Sequence, residues 1–246
     1  VYQRAGAVSP FVFESACMVV AAVAVGRRAS LPARRSSVIE GSHDWRLLGT
    51  VLRTPGVLVM GVTSAVLIAI QTGVLVFLFP LYLANRVGVG PEAVGVFISL
   101  GVLGRLLTLW LGGSGSDRWG RMHVLMPGLL IYAALLGSLV LLRDPIALGS
   151  WSLAIGAAAG LVAPLPTAII GDQVQPSLHG VAIGWLRMMT DSGQIVGPLV
   201  MGALADEVDL STPFLVGAAL LLMVAWQCRR QAKAMLTAVG TGPGDS

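Results

Sequence analysis

Seven long apolar runs dictate the solvent for most of this chain. They cover about 8–26, 56–84, 93–112, 123–142, 146–171, 180–204 and 212–228, and each is cut from the next by glycines, prolines or charges. A helix needs about 17–25 mostly apolar residues to cross a bilayer, and each run meets or nearly meets that length. Within lipid the backbone must satisfy its own polar groups, so only helices and closed barrels span it. Barrel strands would be about ten residues long with alternating polarity, and these runs are too long and too uniform for that. Charged residues make up 11% of the chain and the mean hydropathy is +0.82, against about 25% charged in a soluble domain. The expected fold class is an all-α membrane protein, a transmembrane helix bundle of about seven spans.

Most breaks are short, such as "NRVGVGPE" and "RDP", as in helical hairpins. The long exception is 27–55. It begins basic, and Trp45, Leu48 and Leu52 then fall at helical spacing, which predicts a short amphipathic helix at the interface. The last run ends in Trp226, an interface anchor by type, and the tail after Lys233 reads as frayed. Cys17 and Cys228 lie far apart inside apolar runs, so they read as packing residues rather than a disulfide framework. The start at Val1 does not resemble a cleavable signal peptide, which would carry a basic region and a small-residue cleavage site. It reads as a chain cut from something longer, or as an alternative start codon.

Arginine placement predicts orientation, because positive charge marks the cytoplasmic side. One side receives Arg27, Arg28, Arg34, Arg35, Arg46, Arg53, Arg118, Arg121, Arg229, Arg230 and Lys233. The other receives Arg4, Arg86 and Arg143 with the acidic stretch Asp206, Glu207 and Asp209. The expectation is residue 1 outside and the C-terminus in the cytoplasm. The basic residues form no stripe with interleaved aromatics, so a nucleic-acid partner is not expected. The lipid bilayer is.

The compact turn "GGSGSDRWGRMH" at 112–123 sits on the cytoplasmic side by this reading. Gly112, Gly113 and Gly115 would allow a tight turn. Asp117 would accept from the first amides of the next helix. Arg118 and Arg121 would pair with carboxylates at neighbouring helix ends or with lipid phosphate, and Asp172 in "IIGDQVQP" is a candidate partner. An ordinary basic loop that only sets topology would look similar.

The string G-x-x-x-D-R-x-G-R, from Gly113 through Asp117, Arg118 and Gly120 to Arg121, resembles the cytoplasmic loop signature of the major facilitator superfamily. "DSGQIVGPLVMGALAD" (191–206) is similar to that family's eleventh helix, and "FLFPLYLANRVGVGPEAVG" to the end of its seventh helix and the following loop. The 27–55 stretch fits the linker between the family's two six-helix halves. The resemblance implies that the seven spans correspond to the sixth through twelfth helices, the second half of a major facilitator-type fold. On that basis 1–26 is the sixth-helix equivalent, 27–55 a cytoplasmic linker, 56–228 a six-helix bundle and 229–246 a cytoplasmic tail. It further implies a secondary transporter in an inner or plasma membrane, working with the missing N-terminal helices as partner. Its cargo would be a small organic solute, with drug-like export by proton exchange.

Charges inside a membrane are costly and mostly functional. Arg187 and Asp191 are four apart and share a helix face with Gln194 and Pro198. Asp191 falls about 16 Å along its span from Gly180 at ~1.5 Å per residue, near the midplane. The face either lines a central pathway, with Asp191 as a proton or substrate group, or holds an internal pair in which Asp191 only neutralises Arg187. Arg105 lies a turn or two from the cytoplasm and is expected to snorkel. Glu14 is open between an outer-cavity and a bundle-facing role. Gln71 and Thr72 sit mid-span, and the resemblance makes that span cavity-lining, so both are substrate-contact candidates. Gly156, Gly160, Pro164 and Pro166 read as close helix packing with a kink.

"GVGPEA" (88–93) imitates a phosphate turn, but no strand precedes it and Pro91 interrupts it. His43, His123 and His179 are isolated, without the spacing of a zinc site. No hydrolase, metalloprotease or P-loop motif is present, so neither an enzyme nor a cofactor is expected. A self-contained seven-helix receptor or sensor, and a truncated remnant that packs without transporting, remain open as alternatives.

Overall fold

The computed structural model describes residues 56–240 continuously, together with Ser15, Met18, Val19, Val20, Val23, Gly49, Val51, Leu52 and Thr54; of Ser114 and residues 232–240 it gives the backbone alone. The chain divides into two units, Val1–His43 and Asp44–Ser246. In the first, the described positions are helical. Most of the expected 8–26 span, Glu14 and Cys17 included, and most of the 27–55 stretch, Trp45, Leu48 and His43 included, lie outside the described residues.

Among its described residues the second unit holds six long helices: α1 (Val57–Val87), α2 (Pro91–Trp119), α3 (Arg121–Leu141), α4 (Pro145–Gln173), α5 (His179–Glu207) and α6 (Thr212–Gly240). No strand occurs among the described residues. Five of the six are long and apolar enough to cross a membrane. The exception is α5, whose hydropathy is lowered by Arg187, Asp191, Ser192 and Gln194 in its middle. The molecule is an all-α bundle, as its apolar runs require, and a multi-pass membrane protein.

The breaks follow local rules. α1 ends at Gly88, whose φ of 76° suits only glycine, and α2 begins with Pro91 behind an extended Gly90. α4 begins with Pro145 behind Asp144, whose Oδ2 accepts from the Ala147 amide at 2.9 Å. A turn at Ala163 and Pro164 divides α4; Pro164 and Pro166 have no amide to donate within a helix, so the expected kink falls here. α6 runs to Gly240, past the apolar run that ends near Cys228, because Arg, Gln, Ala, Lys, Met and Leu favour helix without lipid. The Arg230 guanidinium lies 3.8 Å from the Trp226 ring centre.

The "GGSGSDRWGRMH" stretch folds differently from expectation. Gly112, Gly113 and Gly115 are helical, inside the last two turns of α2, and the chain turns at Gly120 alone with φ of 87°. A backbone with that φ strains any L side chain, so one glycine makes the whole link. Asp117 does not cap α3; the cap position is Gly120, without a side-chain hydrogen bond.

Two close seams organise the bundle. α2 packs along α4, and α1 along α5. A Cβ on Gly156 would collide with the Gly101 carbonyl, one on Gly104 with the Leu153 carbonyl, and one on Gly112 with the Leu161 carbonyl. Thr108 Oγ1 donates to the Ala157 carbonyl at 2.6 Å across the same seam. On the other seam, a Cβ on Gly73 would lie 2.7 Å from the Gly197 carbonyl carbon, and one on Gly197 would lie 2.6 Å from Ala69 Cα. Small residues let backbones approach, and dispersion and interhelical hydrogen bonds then hold helices together where lipid supplies no hydrophobic drive. α3 and α6 complete the bundle, with Tyr132, Leu136, Phe214 and Leu221 fully or almost fully buried.

Candidate functional site

The seams leave space between the α1–α5 pair and the α2–α4 pair. Five helices line a cavity there of about 340 Å³, within the range of small-ligand sites. α1 contributes Ser64 and Gln71, α2 Arg105, α3 Tyr132, α4 Thr167 beyond its kink, and α5 Arg187 and Thr190. Leu67, Ile68, Val162, Ile183 and Leu186 make the rest mostly apolar. A second cavity of about 110 Å³ adjoins it, lined by Phe79, Phe97, Trp151 and Ser152. Gln71, Arg105 and Ala159 line both, so they form the partition.

Gln71 reaches this position at the start of an irregular stretch. α1 changes from α to the wider π form over Ile70–Leu78, a form that recurs at functional sites. Thr72, one residue on, lines neither cavity. Its Oγ1 donates to the Ile68 carbonyl of its own helix at 2.8 Å. Adjacent residues on a helix point about 100° apart, so the two neighbours take different roles.

Arg105 lines both cavities beside Gln71, where a snorkelling side chain was expected. It is half-buried and makes no ion pair with a described residue. The Tyr132 hydroxyl and Ser152 Oγ are buried without hydrogen-bond partners among the described residues.

Arg187 and Asp191 form the expected pair, Nε to Oδ1, at 3.3 Å. Only Arg187 lines the larger cavity; Asp191 and Gln194 line neither. Asp191 lies on the outer face of α5, and the side chains of Arg187 and Asp191 are 79% and 53% exposed, while Leu186, Gly193 and Gly197 turn towards the bundle. Gln194 and its neighbours Ile195 and Val196 are exposed on the same helix.

At the end of the bundle where α2 meets α3, Arg121 joins two carboxylates. Its NH2 group is 3.2 Å from Asp117 Oδ1 and its Nε 2.9 Å from Asp172 Oδ2. The cluster therefore unites Asp117, Arg121 and Asp172. Arg118 is exposed on the same turn and makes no ion pair with a described residue, and Gly113 and Gly120 supply backbone only. At the opposite end, Arg86 of α1 pairs with Asp209, between α5 and α6. The Arg86 and Ser211 hydrogen bonds hold the Asp209 carboxyl below the usual carboxylate range.

His123 is exposed, His179 Nε2 lies 2.7 Å from the Val174 carbonyl, and His43 lies outside the described residues. Among the described residues no group of three or more metal-type side chains occurs. Cys228 is buried, with its sulfur 3.8 Å from Thr63 Oγ1.

Helices of membrane-spanning length, two glycine seams and a polar cavity between them define a helical membrane protein built around an internal site. The sequence pattern of the Major Facilitator Superfamily matches residues 61–233. The chain belongs to the major facilitator superfamily, a family of membrane transporters. It is 32% identical over 151 residues to the multidrug resistance protein MdtG of Serratia proteamaculans, covering 58% of this chain and 36% of that protein. It is 29% identical over 150 residues to the multi-drug resistance efflux pump PmrA of Streptococcus pneumoniae, covering 59% and 37%. A longer match, 22% over 212 residues, is to MdtG of Erwinia billingiae, covering 85% and 50%. The chain thus spans between about a third and a half of the relatives it matches.

Proposed function

We propose that the chain is the C-terminal portion of a secondary transporter that exports a small, drug-like organic solute in exchange for protons. Such transporters rock two helix bundles about a site near the midplane. The observation that carries this reading is the placement of charge on α5. Arg187 reaches the cavity from one side of the helix, and its partner Asp191 stands on the outer face. Leaving charges there in lipid costs at least about 2.5–3.5 kcal/mol each on insertion scales. A second bundle facing α5 across a water-filled pathway removes that cost. The likeness to proteins named as multidrug resistance and efflux proteins supports the class of cargo.

In this reading 1–26 is a sixth-helix equivalent, 27–55 the linker, 56–228 the second bundle and 229–246 a tail. The arginine distribution supports a cytoplasmic tail, with Arg121 and Asp172 on that face. Gln71, Arg105 and Arg187 contact solute, and Asp191 carries the coupling proton. The role is non-enzymatic.

The test is reconstitution in liposomes of the full-length protein carrying this chain, with an imposed pH gradient and a panel of fluorescent anionic, neutral and cationic probes. Saturable, gradient-driven flux of at least one probe is expected. The 246-residue chain alone should give none, and co-reconstituted N-terminal helices should restore it. Saturable flux through the chain alone would overturn the two-bundle reading. No flux of any probe through the full-length protein would overturn the transport reading.

A further inference from the structure

Resting on the transport reading above, and going beyond it to the chemistry of the cargo, we infer that the α1–α5/α2–α4 cavity selects solutes with an anionic group, bound by Arg105. Among the described residues the larger cavity is lined by two guanidiniums, Arg105 and Arg187, and by no carboxylate. Arg187 is already neutralised by Asp191, which stands off the cavity. Arg105 pairs with no described residue, so the described lining carries one positive charge without a counter-ion. A lone charge in mostly apolar surroundings is costly, and an anion held beside it offsets that cost. A cationic solute would meet repulsion from the same group.

The neighbouring polar groups agree in sign. Gln71 shares both cavities with Arg105 and has an amide N–H2 to donate. The Tyr132 hydroxyl, almost fully buried on the same lining, is unpartnered among the described residues and donates equally well. Arg105, Gln71 and Tyr132 thus offer converging donors from three helices. Guanidinium suits a carboxylate, phosphate or phosphonate because its N–H groups make two parallel bonds to two oxygens. The apolar remainder, Leu67, Ile68, Val162 and Leu186, suits a hydrocarbon or aromatic body. The cargo class is an amphipathic organic anion.

The test uses two probes that differ in one charge: dansylglycine, a carboxylate, and dansylglycinamide, its neutral amide. Binding to the full-length protein in lipid nanodiscs is followed by energy transfer from tryptophan. The wild-type protein should bind the acid at least tenfold more tightly than the amide. Arg105→Gln should erase that preference, and Arg105→Lys should retain part of it. Equal or tighter binding of the amide by the wild-type protein overturns the inference, and that comparison needs no variant to fold. A preference that survives Arg105→Gln overturns the role of Arg105. Failure of the transport reading has a different signature. The acid would then bind with its preference intact while no probe crosses the liposome membrane. Flux of cationic and neutral probes without preference for the anion would sink the inference and leave transport standing.

Discussion

Arg121 Nε lies 2.9 Å from Asp172 Oδ2, tying the start of α3 to the end of α4. Asp117 joins from the last turn of α2, so one guanidinium meets carboxylates from two neighbouring helices. Both carboxylates are more than half exposed, and exposed pairs contribute about 0–1 kcal/mol each. A conformational balance of a few kcal/mol still responds to that amount. Asp172→Asn and Asp117→Asn should each change transport rate in the full-length protein by up to about fivefold at equal expression. An unchanged rate for both would reduce the cluster to a topology signal.

The α2–α4 seam predicts a pair of opposite outcomes. Gly156→Ala drives a methyl into the Gly101 carbonyl, and overpacking costs about 1–3 kcal/mol. Gly184→Ala meets open space and gains up to about 1 kcal/mol of helix propensity. Thermal unfolding followed by size-exclusion chromatography should show the first variant melting earlier and the second unchanged or later. Equal melting of the two would mean that the seam is looser than its backbone distances indicate.

The pairing of Arg86 with Asp209 makes one end of the bundle sensitive to acid. The carboxyl is held below its ordinary value in the folded protein. Its stabilising contribution is therefore complete above the unfolded value, about pH 4, and is lost as pH falls through the lowered folded value. The melting difference between the wild-type protein and Asp209→Asn should be constant from neutral pH down to about pH 4, and should vanish below. A difference that grows on acidification would reverse the sign of the argument.

Orientation can be read by labelling. Trp119 and Val208 are exposed at opposite ends of the bundle. A cysteine at Trp119 should react only with reagents that reach the cytoplasm, and one at Val208 with impermeant reagents added outside. Labelling of the Trp119 position from outside would invert the topology.

The pair on α5 separates a structural from a coupling role. Arg187→Leu combined with Asp191→Leu removes both charges and leaves no unmatched ion. The doubly substituted protein should insert and fold yet lose proton-driven accumulation, while downhill exchange persists. Uphill transport at the wild-type level would rule out Asp191 as the proton site.

The five helices of membrane-spanning length were legible because lipid imposes a length and a polarity on every residue of a run, and several of their ends because Gly88, Pro91, Asp144 and Pro145 act locally. The Gly156 and Gly160 packing reading also follows from local rules, since a residue without a side chain has few other uses inside lipid. The turn was misplaced. Four glycines lie within nine residues, from Gly112 to Gly120, and only backbone geometry shows that Gly120 alone takes a positive φ. The cavity was legible only in part. Gln71, Arg105 and Arg187 stood out as polar residues in apolar runs, but which of them meet depends on how three helices rotate against one another. Tyr132 gave no signal, because a buried tyrosine on a lining and one in a core have the same sequence context.

The two glycine seams also determine where this bundle can yield. Backbone laid on backbone has no side chains to change rotamer, so α2 with α4, and α1 with α5, behave as two stiff planks. The surfaces between the planks carry longer, rotatable groups, Arg105 and Gln71 among them. The compliant line of the molecule therefore runs through the cavity itself. Any opening or closing within this bundle along that line changes the shape of the cavity.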